Sequence, residues 1–289
     1  MSYGIIEGER SQGAVETLCR ALSVSVSGFY AWRQRGTSQR ATEDGKLLEQ
    51  IRQAYEAGRG VYGSPRIHAY LRHQGIRCSR KRVARLMRQH QIASRRRPKR
   101  RVSTTDSRHG RPVAPNLLRR DFGATAPNQK WVGDILGLWT ETGWLYLAVL
   151  LDTYSRRVVG WAMRAQRDEA LVEAALRMAL TRRQLLRPTA LIHHSDRGSQ
   201  YTADDYLALL TGHQIRVSMS NKGDPYDNAM MESFFSTLRA ELTDLQRFET
   251  HQAARAAVFE FIEVFYNRQR LHSALGYCSP VAFEAAQGF

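Results

Sequence analysis

Residues 131–163 read WVGDILGLWTETGWLYLAVLLDTYSRRVVGWAM, and this stretch decides the fold of the 289-residue chain. It contains three runs rich in β-branched and aromatic residues, at 131–139, 144–151 and 157–163. The short segments between them, 141–143 and 152–155, carry Gly, Asp, Thr and Ser and are typical of tight turns. The stretch therefore predicts a three-stranded meander.

Helical and strand patterns alternate after the meander. Leu171, Ala174, Ala175 and Met178 recur with a helical period. In order, the patterns predict a helix over 169–183, a strand over 189–194, a helix over 204–212, a strand over 215–219, a helix capped by Asp227 or Asn228 and reaching about 242, and a last helix over roughly 250–268. The order βββ-α-β-α-β-α predicts an α/β fold with helices on both faces of a mixed sheet.

The front of the chain shows helical patterns. The first 35 residues or so predict two short helices, the second capped by Ser25 or Ser27. Over 43–92 the pattern is that of a helix-turn-helix, with Ser79 capping a helix whose Val83, Leu86 and Met87 face inward. Cations in the first turn of a helix oppose its dipole, whereas a recognition helix points that turn at DNA. This favours DNA contact by Arg80, Lys81, Arg82, Arg85 and Arg88 over a merely solvated face.

Charge is distributed unevenly. The chain has 43 Lys and Arg against 27 Asp and Glu, a net charge of +16. Residues 1–130 hold 27 of the basic and nine of the acidic side chains, whereas residues 131–289 hold 16 and 18. Such asymmetry indicates a polyanionic partner, of which nucleic acid is the commonest, although ribosomal and membrane-surface proteins share it.

The most basic window, 80–101, contains eleven basic residues and no acidic one. Self-repulsion and the lack of apolar residues predict an extended linker from about 94 to 120, which would neutralise DNA phosphates without reading sequence. A nuclear-import signal would look the same. The linker residues predicted to contact DNA are Arg95, Arg96, Arg97, Lys99, Arg100 and Arg101.

Several protein classes are excluded by composition. No stretch approaches the ~18 apolar residues of a spanning helix, and the N-terminus lacks the pattern of a secretory signal. Cys19, Cys78 and Cys278 lie far apart and fit neither a disulfide framework nor a zinc site. We therefore expect a reducing, cytoplasmic compartment and no membrane partner.

Three carboxylates are candidates for metal chemistry. Asp134 lies within the first apolar strand, Asp196 follows the apolar run 190–192, and Glu232 lies one turn into the helix that begins near 228. An Asp in an apolar strand is costly unless it is paired or metal-bound. Three acids from separate elements suit Mg²⁺, and two ions ~3.5–4 Å apart support phosphoryl transfer. For any one of these acids the alternative is a surface or capping carboxylate.

Several motifs resemble one known family. HHSDRGSQYT (193–202) precedes SMSNKGDPYDNAMMESFFSTLRAEL (218–242), and 35 residues separate Asp196 from Glu232. This resembles bacterial insertion-sequence transposases of the DDE, retroviral-integrase-like superfamily, in particular the OrfB-type catalytic subunit of a family encoded in two reading frames. The resemblance extends to 18–32, 61–92, 144–163 and 266–284, which together span nearly the whole chain.

The resemblance implies a ribonuclease H-like catalytic core with a mixed five-stranded sheet behind all-α helix-turn-helix segments. The catalytic, metal-binding triad that the resemblance implies consists of Asp134, Asp196 and Glu232, and it would bind two Mg²⁺ ions, with Mn²⁺ as a substitute. Asn228 and Arg239, the latter where the family more often has Lys, become DNA contacts, and Lys222 is placed to reach DNA from a loop. The implied domains are 1–38 and 39–93 (helix-turn-helix), 94–127 (basic linker), 128–245 (core) and 246–289 (helical tail).

The function implied is a DNA transposase. It would bind the terminal repeats of its element, free a 3′-hydroxyl by hydrolysis, and join that hydroxyl to another phosphodiester. Its expected partners are double-stranded DNA, further copies of itself for synapsis, and an OrfA-type protein from the upstream frame. The alternatives are a non-catalytic, transposase-derived repressor and a nonspecific nuclease of the same fold.

Other polar residues leave two interpretations open. His193 and His194 either help to place a phosphate or are packed, hydrogen-bonded side chains at the end of a strand. Arg268, Arg270 and His272 in the tail either contact DNA or are solvated at a helix end.

Overall fold

The computed structural model describes residues 2–11, 13–35, 38–95, 114–184, 190–221 and 225–289, with only the backbone at 225 and 226. The predicted DNA contacts Arg96, Arg97, Lys99, Arg100, Arg101 and Lys222 lie outside the described residues. Ahead of the sheet, the described part of the chain forms helices α1 (Ser2–Glu9), α2 (Val15–Ala21), α3 (Val26–Gln34), α4 (Gln39–Ala57), α5 (Ser64–His73) and α6 (Arg80–Gln89).

The N-terminal segment contains one helix more than the sequence predicted. Helix α1 has two glycines and no charged residue that would favour either end, which is why its pattern is weak. It is held by packing, since Ile6 is buried in a small core with Cys19 of α2 and Phe29 of α3. Helix α3 begins as predicted, because Ser25 Oγ accepts a hydrogen bond from the amide of Gly28 at 3.0 Å.

Helices α4, α5 and α6 form the predicted helix-turn-helix unit. Ser79 Oγ accepts from the amide of Arg82 at 3.2 Å and fixes the start of α6. The inward side of α6 consists of Val83, Leu86 and Met87, which are buried as the sequence predicted. The opposite side of α6 therefore faces outward.

The region from residue 130 onward contains a five-stranded sheet in the order β3-β2-β1-β4-β5. Strands β1, β2 and β3 are antiparallel and form the predicted meander. Strand β4 pairs parallel with both β1 and β5, so the sheet is mixed. The strands are β1 (Lys130–Thr140), β2 (Gly143–Asp152), β3 (Val158–Arg164), β4 (Ile192–Ser195) and β5 (Arg216–Met219).

Helices cover both faces of the sheet. Side chains alternate along a strand. Trp131 and Ile135 of β1 therefore pack on one face of the sheet, in a core shared with the helices over 169–183 and 204–212. Val132 and Leu136 pack on the other face with the C-terminal helices. The helices on the first face are α7 (Glu169–Arg183) and α8 (Asp204–Gly212); the C-terminal set is α9 (Ala229–Leu238) with a π-helical segment (Arg239–Thr243), α10 (His251–Phe259) with a second π-helical segment (Glu260–Tyr266), and α11 (Pro280–Ala286).

The helix-turn-helix unit is packed onto the C-terminal helices. The guanidinium of Arg59 lies over the Phe265 ring, 4.2 Å from its centroid, and pairs with Glu260. The backbone amide of Leu271 donates to the hydroxyl of Tyr62 at 2.8 Å. Apolar residues of both units belong to one continuous core. The helix-turn-helix unit is thereby packed directly against the C-terminal helices of the sheet region.

The end of the predicted linker is packed against the core. Leu118 is buried, and the amide of Leu117 donates to Ser218 Oγ of β5 at 2.8 Å. The side-chain amide of Asn116 donates a hydrogen bond to the carboxylate of Asp227 at 2.8 Å. Residues 114–121 therefore follow the side of the sheet on which β5 lies.

Gly160 sets how closely β3 approaches α7. A Cβ atom at this position would lie 2.2 Å from the carbonyl oxygen of Ala175 and 2.8 Å from Ala179 Cβ. We expect Gly160→Ala to lower the free energy of unfolding by roughly 1–3 kcal/mol, because helix and strand must move apart. Denaturant unfolding measures the change.

A matched control is Gly45→Ala in α4, where nothing lies within 4 Å of the added Cβ. This substitution should raise stability by roughly 0.5–1 kcal/mol, because Gly is a poor residue for a helix interior. A Gly160→Ala variant as stable as the Gly45→Ala variant would contradict the close packing of β3 on α7.

Candidate active site

Asp134 and Asp196 are brought together by the parallel pairing of β1 and β4. Val132 lies opposite His194 in the register. Extending both strands by two residues places Asp134 and Asp196 side by side, where neighbouring strands lie ~4.8 Å apart. The sequence predicted both positions, one within a strand and one directly after a strand, and the structure confirms both placements.

Each aspartate has a fixed local geometry. Asp134 Oδ1 accepts a hydrogen bond from the amide of Ile135 at 2.7 Å. Asp196 Oδ1 accepts from the amide of Gly198 at 2.9 Å, in the turn that follows β4. A Cβ atom on Gly198 would lie 3.0 Å from the same oxygen, so glycine leaves room for the carboxylate. Both side chains are half-buried at the edge of the sheet.

Glu232 reaches this edge from α9. It is the fourth residue of that helix, as predicted, and it is exposed. Met231, Phe234 and Phe235 form the buried side of α9 and pack on the same face of the sheet as Val132. The packing of α9 thus carries Glu232 toward the aspartates.

Asp134 is influenced electrostatically by the other two acids. Burial, and next the charge of Asp196, raise the pKa of Asp134 to about 7, and Glu232 adds to the rise. The amide of Ile135 and the guanidinium of Arg167 act in the opposite direction. The ionisation of Asp134 is therefore opposed by its surroundings and by two neighbouring carboxylates. A bound cation would relieve that repulsion.

The donor set suits a hard divalent cation. It consists of carboxylate oxygens, which Mg²⁺ prefers, and the buried Asn228 supplies a further oxygen. Asn228 Nδ2 donates to the carbonyl of Gly133 at 3.4 Å, while its Oδ1 is buried without a hydrogen-bond partner. Across the described ranges, no group of three His, Cys, Asp or Glu side chains is already gathered closely enough to hold a metal ion. The acids are near one another but do not surround a common point.

The predicted capping of α9 is wrong. Neither Asp227 nor Asn228 caps an N–H group of that helix with its side chain. The carboxylate of Asp227 instead accepts from the side chain of Asn116 at 2.8 Å and from the amide of Asn221 at 2.9 Å. A 3₁₀ turn, Pro225–Asn228, leads directly into α9 and turns Asn228 toward β1. Both side chains therefore organise the site rather than the end of the helix.

His193 and His194 are packed side chains, which favours the simpler of the two interpretations. His193 Nε2 is 2.6 Å from the Tyr206 hydroxyl, and His194 lies between the hydroxyls of Ser218 and Ser220 at 2.8 and 3.0 Å. Burial lowers the pKa of His193 to about 3 and that of His194 to about 4. Both rings are therefore neutral at pH 7.

His272 is a third buried histidine, and together the three predict a sensitivity to acid. Burial, and then Arg270, lower the pKa of His272 to about 2. Unfolded histidines take up protons near pH 6.5, so below that pH the unfolded state binds more protons than the folded state. We expect the free energy of unfolding to have its full value above pH 6.5. Below that pH it should fall, with a slope approaching ~4 kcal/mol per pH unit near pH 5.

Urea unfolding between pH 5 and 8 measures this slope. Replacing His272 by Phe removes one of the three proton-binding groups and should reduce the slope by about a third. Stability that stays constant or rises between pH 6.5 and 5 would contradict the neutral, buried state of these rings.

The predicted DNA contacts on α6 fall into two groups. Arg80, Lys81 and Arg88 are exposed on the outward side of the helix. Arg82 and Arg85 instead bind the carboxylate of Asp44 in α4, at 2.7 and 2.6 Å. Those hydrogen bonds, from Arg85 first and then Arg82, lower the pKa of Asp44.

The remaining described contacts differ in exposure. Arg95 is exposed at the end of the segment that follows α6. Arg239 is half-buried where α9 passes into its π-helical segment. Glu232 and Ser236 of α9, which precede Arg239, are both exposed.

Neither interpretation of Arg270 and His272 is correct, because both side chains are buried. Arg270 forms two hydrogen bonds to the carboxylate of Glu241, at 2.7 and 2.6 Å. The ring of His272 packs edge-on against Tyr266, with 4.8 Å between the centroids. This part of the tail is structural and lies under the helix-turn-helix unit.

Two residues beside the triad had no signal in the sequence. Arg167 follows β3 and contributes positive charge at Asp134, and its carbonyl accepts from Gln200 at 3.0 Å. Tyr201 is buried close enough to Asp134 and Asp196 that, after burial itself, their charges raise the pKa of its hydroxyl. Arg167 lies in a loop and Tyr201 in a short 3₁₀ helix (Ser199–Thr202), where no periodicity could reveal them.

Three protein-family models match parts of this chain. An integrase core domain family matches residues 124–225, and a second integrase core domain family matches 213–280. An HTH-like domain family matches residues 42–100. The chain is 43% identical over 287 residues to the transposase InsF for insertion sequence IS3A of Escherichia coli (strain K12), covering 98% of each chain. The chain belongs to the IS3 family of insertion-sequence transposases.

This transposase has a second close relative in Shigella sonnei. It is 44% identical over 266 residues to the insertion element IS600 uncharacterized 31 kDa protein, covering 92% of this chain and 97% of that protein. The family assignment confirms the predicted resemblance and the predicted class of an α/β, ribonuclease H-like integrase core behind helix-turn-helix segments. An integrase core places this transposase among the polynucleotidyl transferases that act on DNA.

Solved structures similar to this transposase include retroviral integrases. A simian T-cell lymphotropic virus intasome in complex with a PP2A regulatory subunit gives a TM-score of 0.46 at 17% identity, covering 75% of this chain and 69% of that chain. The HTLV-2 integrase catalytic core domain in complex with magnesium gives 0.42 at 17%, covering 56% and 99%. Every helix in the described parts of this transposase is too short or too polar to cross a lipid bilayer.

Proposed function

We propose that this transposase binds the terminal repeats of its element and performs Mg²⁺-dependent cleavage and strand transfer at Asp134, Asp196 and Glu232. The observation that carries the proposal is the register of β1 and β4, which puts Asp134 and Asp196 on neighbouring strands of a chain matched by integrase core domain families. The raised pKa of Asp134, due to burial and then to the charge of Asp196, agrees with that placement. Such a site is unfavourable in the empty protein and becomes favourable when it binds cations.

The three carboxylates would be the metal ligands, with two Mg²⁺ ions or, in their place, Mn²⁺. The bound ions would supply the Lewis acidity that offsets charge on the phosphodiester during in-line attack by water or by a 3′-hydroxyl. The unpartnered Oδ1 of Asn228, beside Gly133, would orient a water or a sugar hydroxyl by accepting a hydrogen bond. The guanidinium of Arg167, whose charge already acts at Asp134, would hold a phosphate oxygen.

DNA binding would begin on the helix-turn-helix unit. Arg80, Lys81 and Arg88 present three cations on the outward side of α6, and the basic run beyond Arg95 would add phosphate contacts. Arg82 and Arg85 would act mainly by fixing α6 to α4 through Asp44. Arg239 and Lys222 would contact DNA beside the triad.

The proposal also includes two protein partners. Joining two element ends requires at least two protomers, so we propose self-association in the DNA complex. We further propose that an OrfA-type protein from the upstream frame assists in the recognition of element ends. A non-catalytic, DNA-binding repressor is the competing function.

A divalent-ion titration with a labelled duplex that carries an element end tests the proposal. We expect a nick that leaves a free 3′-hydroxyl, and then joined products, to appear with Mg²⁺ or Mn²⁺ and to disappear with a chelator. DNA binding measured in parallel without metal should persist. Tight end binding with no cleavage product at any metal concentration would favour the repressor.

A further inference from the structure

The hairpin formed by β1 and β2 carries an exposed cluster of aromatic side chains, which we call the aromatic platform: Trp139, Trp144 and Tyr146. Trp139 and Trp144 are opposite each other in the register, with ring centroids 5.3 Å apart. The Tyr146 ring lies 6.3 Å from that of Trp144 and nearly parallel to it, at 18°. The two tryptophans are 62% and 51% exposed.

The platform is an extension of a buried sheet face. Trp139 points to the same side of β1 as Ile135, which α7 covers. Farther along the strands, the rings of the platform face solvent. A Cβ atom on Gly137 would lie 3.2 Å from the Trp144 ring, so glycine lets this ring lie close against β1. One side of the indole is thus supported by the strand while half of the side chain stays exposed.

The platform lies on the hairpin that carries Asp134, but on the opposite face of the sheet. Side chains alternate along β1, so Asp134 points to the side of Val132, whereas Trp139 points to the side of Ile135. Strand β4 pairs with β1 only as far as Val132, whereas β1 continues with β2 to Thr140. The hairpin therefore extends beyond the edge at which Asp196 lies, and Trp139 lies roughly 17 Å farther along β1 than Asp134, at ~3.4 Å per residue.

The chemistry of the platform suits unpaired nucleobases. Aromatic rings stack on bases of any sequence, and they do so with single strands because a duplex hides the faces of its bases. Arg164 of β3 lies opposite Tyr146 in the register. Its side chain pairs with Asp168 at 3.2 Å and is 44% exposed, so a cation beside the rings remains accessible to a phosphate. A second copy of the chain is a less suitable partner for the platform. The exposed half of the three rings has an area of roughly 300 Å², whereas a stable protein interface buries about 800 Å² on each side.

We infer that the aromatic platform binds unpaired nucleotides of the DNA on which this transposase acts, by stacking on their bases. The inference rests on the proposed function for the presence of unpaired DNA, but binding by the platform requires neither metal nor cleavage.

Binding of two single-stranded probes tests this inference: a 20-nucleotide oligo(dT) and an abasic strand of equal length. Both carry the same phosphates, so their difference isolates contacts to bases. In metal-free buffer, fluorescence anisotropy should show the wild-type protein binding oligo(dT) about ten- to a hundredfold more tightly than the abasic strand. Trp139→Ala/Trp144→Ala should remove this preference and leave abasic binding unchanged.

Three control variants make the result decisive. Trp139→Phe/Trp144→Phe keeps aromatic rings and should retain most of the preference. Trp32→Ala removes a 39% exposed tryptophan from α3 and should change nothing. Asp196→Asn should also keep the preference, so a failure of the proposed cleavage chemistry remains distinguishable from a failure of the platform.

Two results would overturn the inference. One is an equal affinity of the wild-type protein for the two probes, or an unchanged preference in the double alanine variant. The other is a change in oligomeric state, measured by analytical ultracentrifugation, that appears in the double alanine variant without DNA. That second result would identify a copy of this chain as the occupant of the platform.

Discussion

Replacing Asp196 by Asn is expected to lower DNA cleavage and strand transfer by roughly a thousandfold or more, which is the scale at which single electrostatic groups in active sites act. The substitution keeps the shape of the side chain and removes one negative charge beside Asp134. Asp134→Asn and Glu232→Gln should behave alike, because each removes one of three charges that act together. Single-turnover assays of a labelled element end in Mg²⁺ measure the loss.

Binding of the element end should be retained in all three variants, because the exposed cations of α6 lie on a different unit. Glu249→Gln is a matched control, since it removes an exposed carboxylate outside the site and should leave cleavage unchanged. Full strand transfer by the Asp196→Asn variant would refute the assignment of the triad.

Replacing Glu241 by Gln is expected to lower the free energy of unfolding by roughly 3–5 kcal/mol, because it leaves the charge of Arg270 buried without a carboxylate partner. The pair is almost fully buried, with Arg270 4% and Glu241 8% exposed. Burial by itself would lower the pKa of Arg270, but the hydrogen bonds that it donates to Glu241 outweigh burial and keep the guanidinium charged. Denaturant unfolding measures the loss against a total that is typically about 5–15 kcal/mol.

The double substitution Glu241→Leu/Arg270→Met is the control for this experiment. Apolar side chains of similar volume leave no unpaired charge in the core, so the free energy of unfolding should return close to that of the wild-type protein. The single variant should also loosen the contact between Tyr62 and Leu271, since Arg270 directly precedes Leu271. Unfolding of Glu241→Gln within about 1 kcal/mol of the wild-type protein would show that the ion pair is not needed.

Features with a local physical cause were predictable from the sequence. The meander was evident because both faces of β1 and β2 are buried, which requires near-continuous apolar runs separated by turn residues. The start of α6 was evident because the hydroxyl of Ser79 caps it. The positions of Asp134, Asp196 and Glu232 followed from the ends of strands and from the family spacing.

Features that depend on distant contacts were not predictable. Helix α1 exists through the burial of Ile6 against α2 and α3, which no pattern within residues 2–9 indicates. Asp227 had the sequence signature of a helix cap, but Asn116 and Asn221 compete successfully for its carboxylate. Arg270 resembled a DNA contact because its buried partner, Glu241, lies in another segment of the chain.

The central claim is that Asp134, Asp196 and Glu232 bind the same divalent cations, and iron-mediated protein cleavage tests it most directly. Fe²⁺ replaces Mg²⁺, and ascorbate with peroxide then generates radicals that cut the polypeptide only next to bound iron. We predict cuts at three places, in β1 near Asp134, after β4 near Asp196 and in α9 near Glu232, all suppressed by excess Mg²⁺. Cuts that avoid these places, or that persist when all three acids are replaced by amides, would contradict the account.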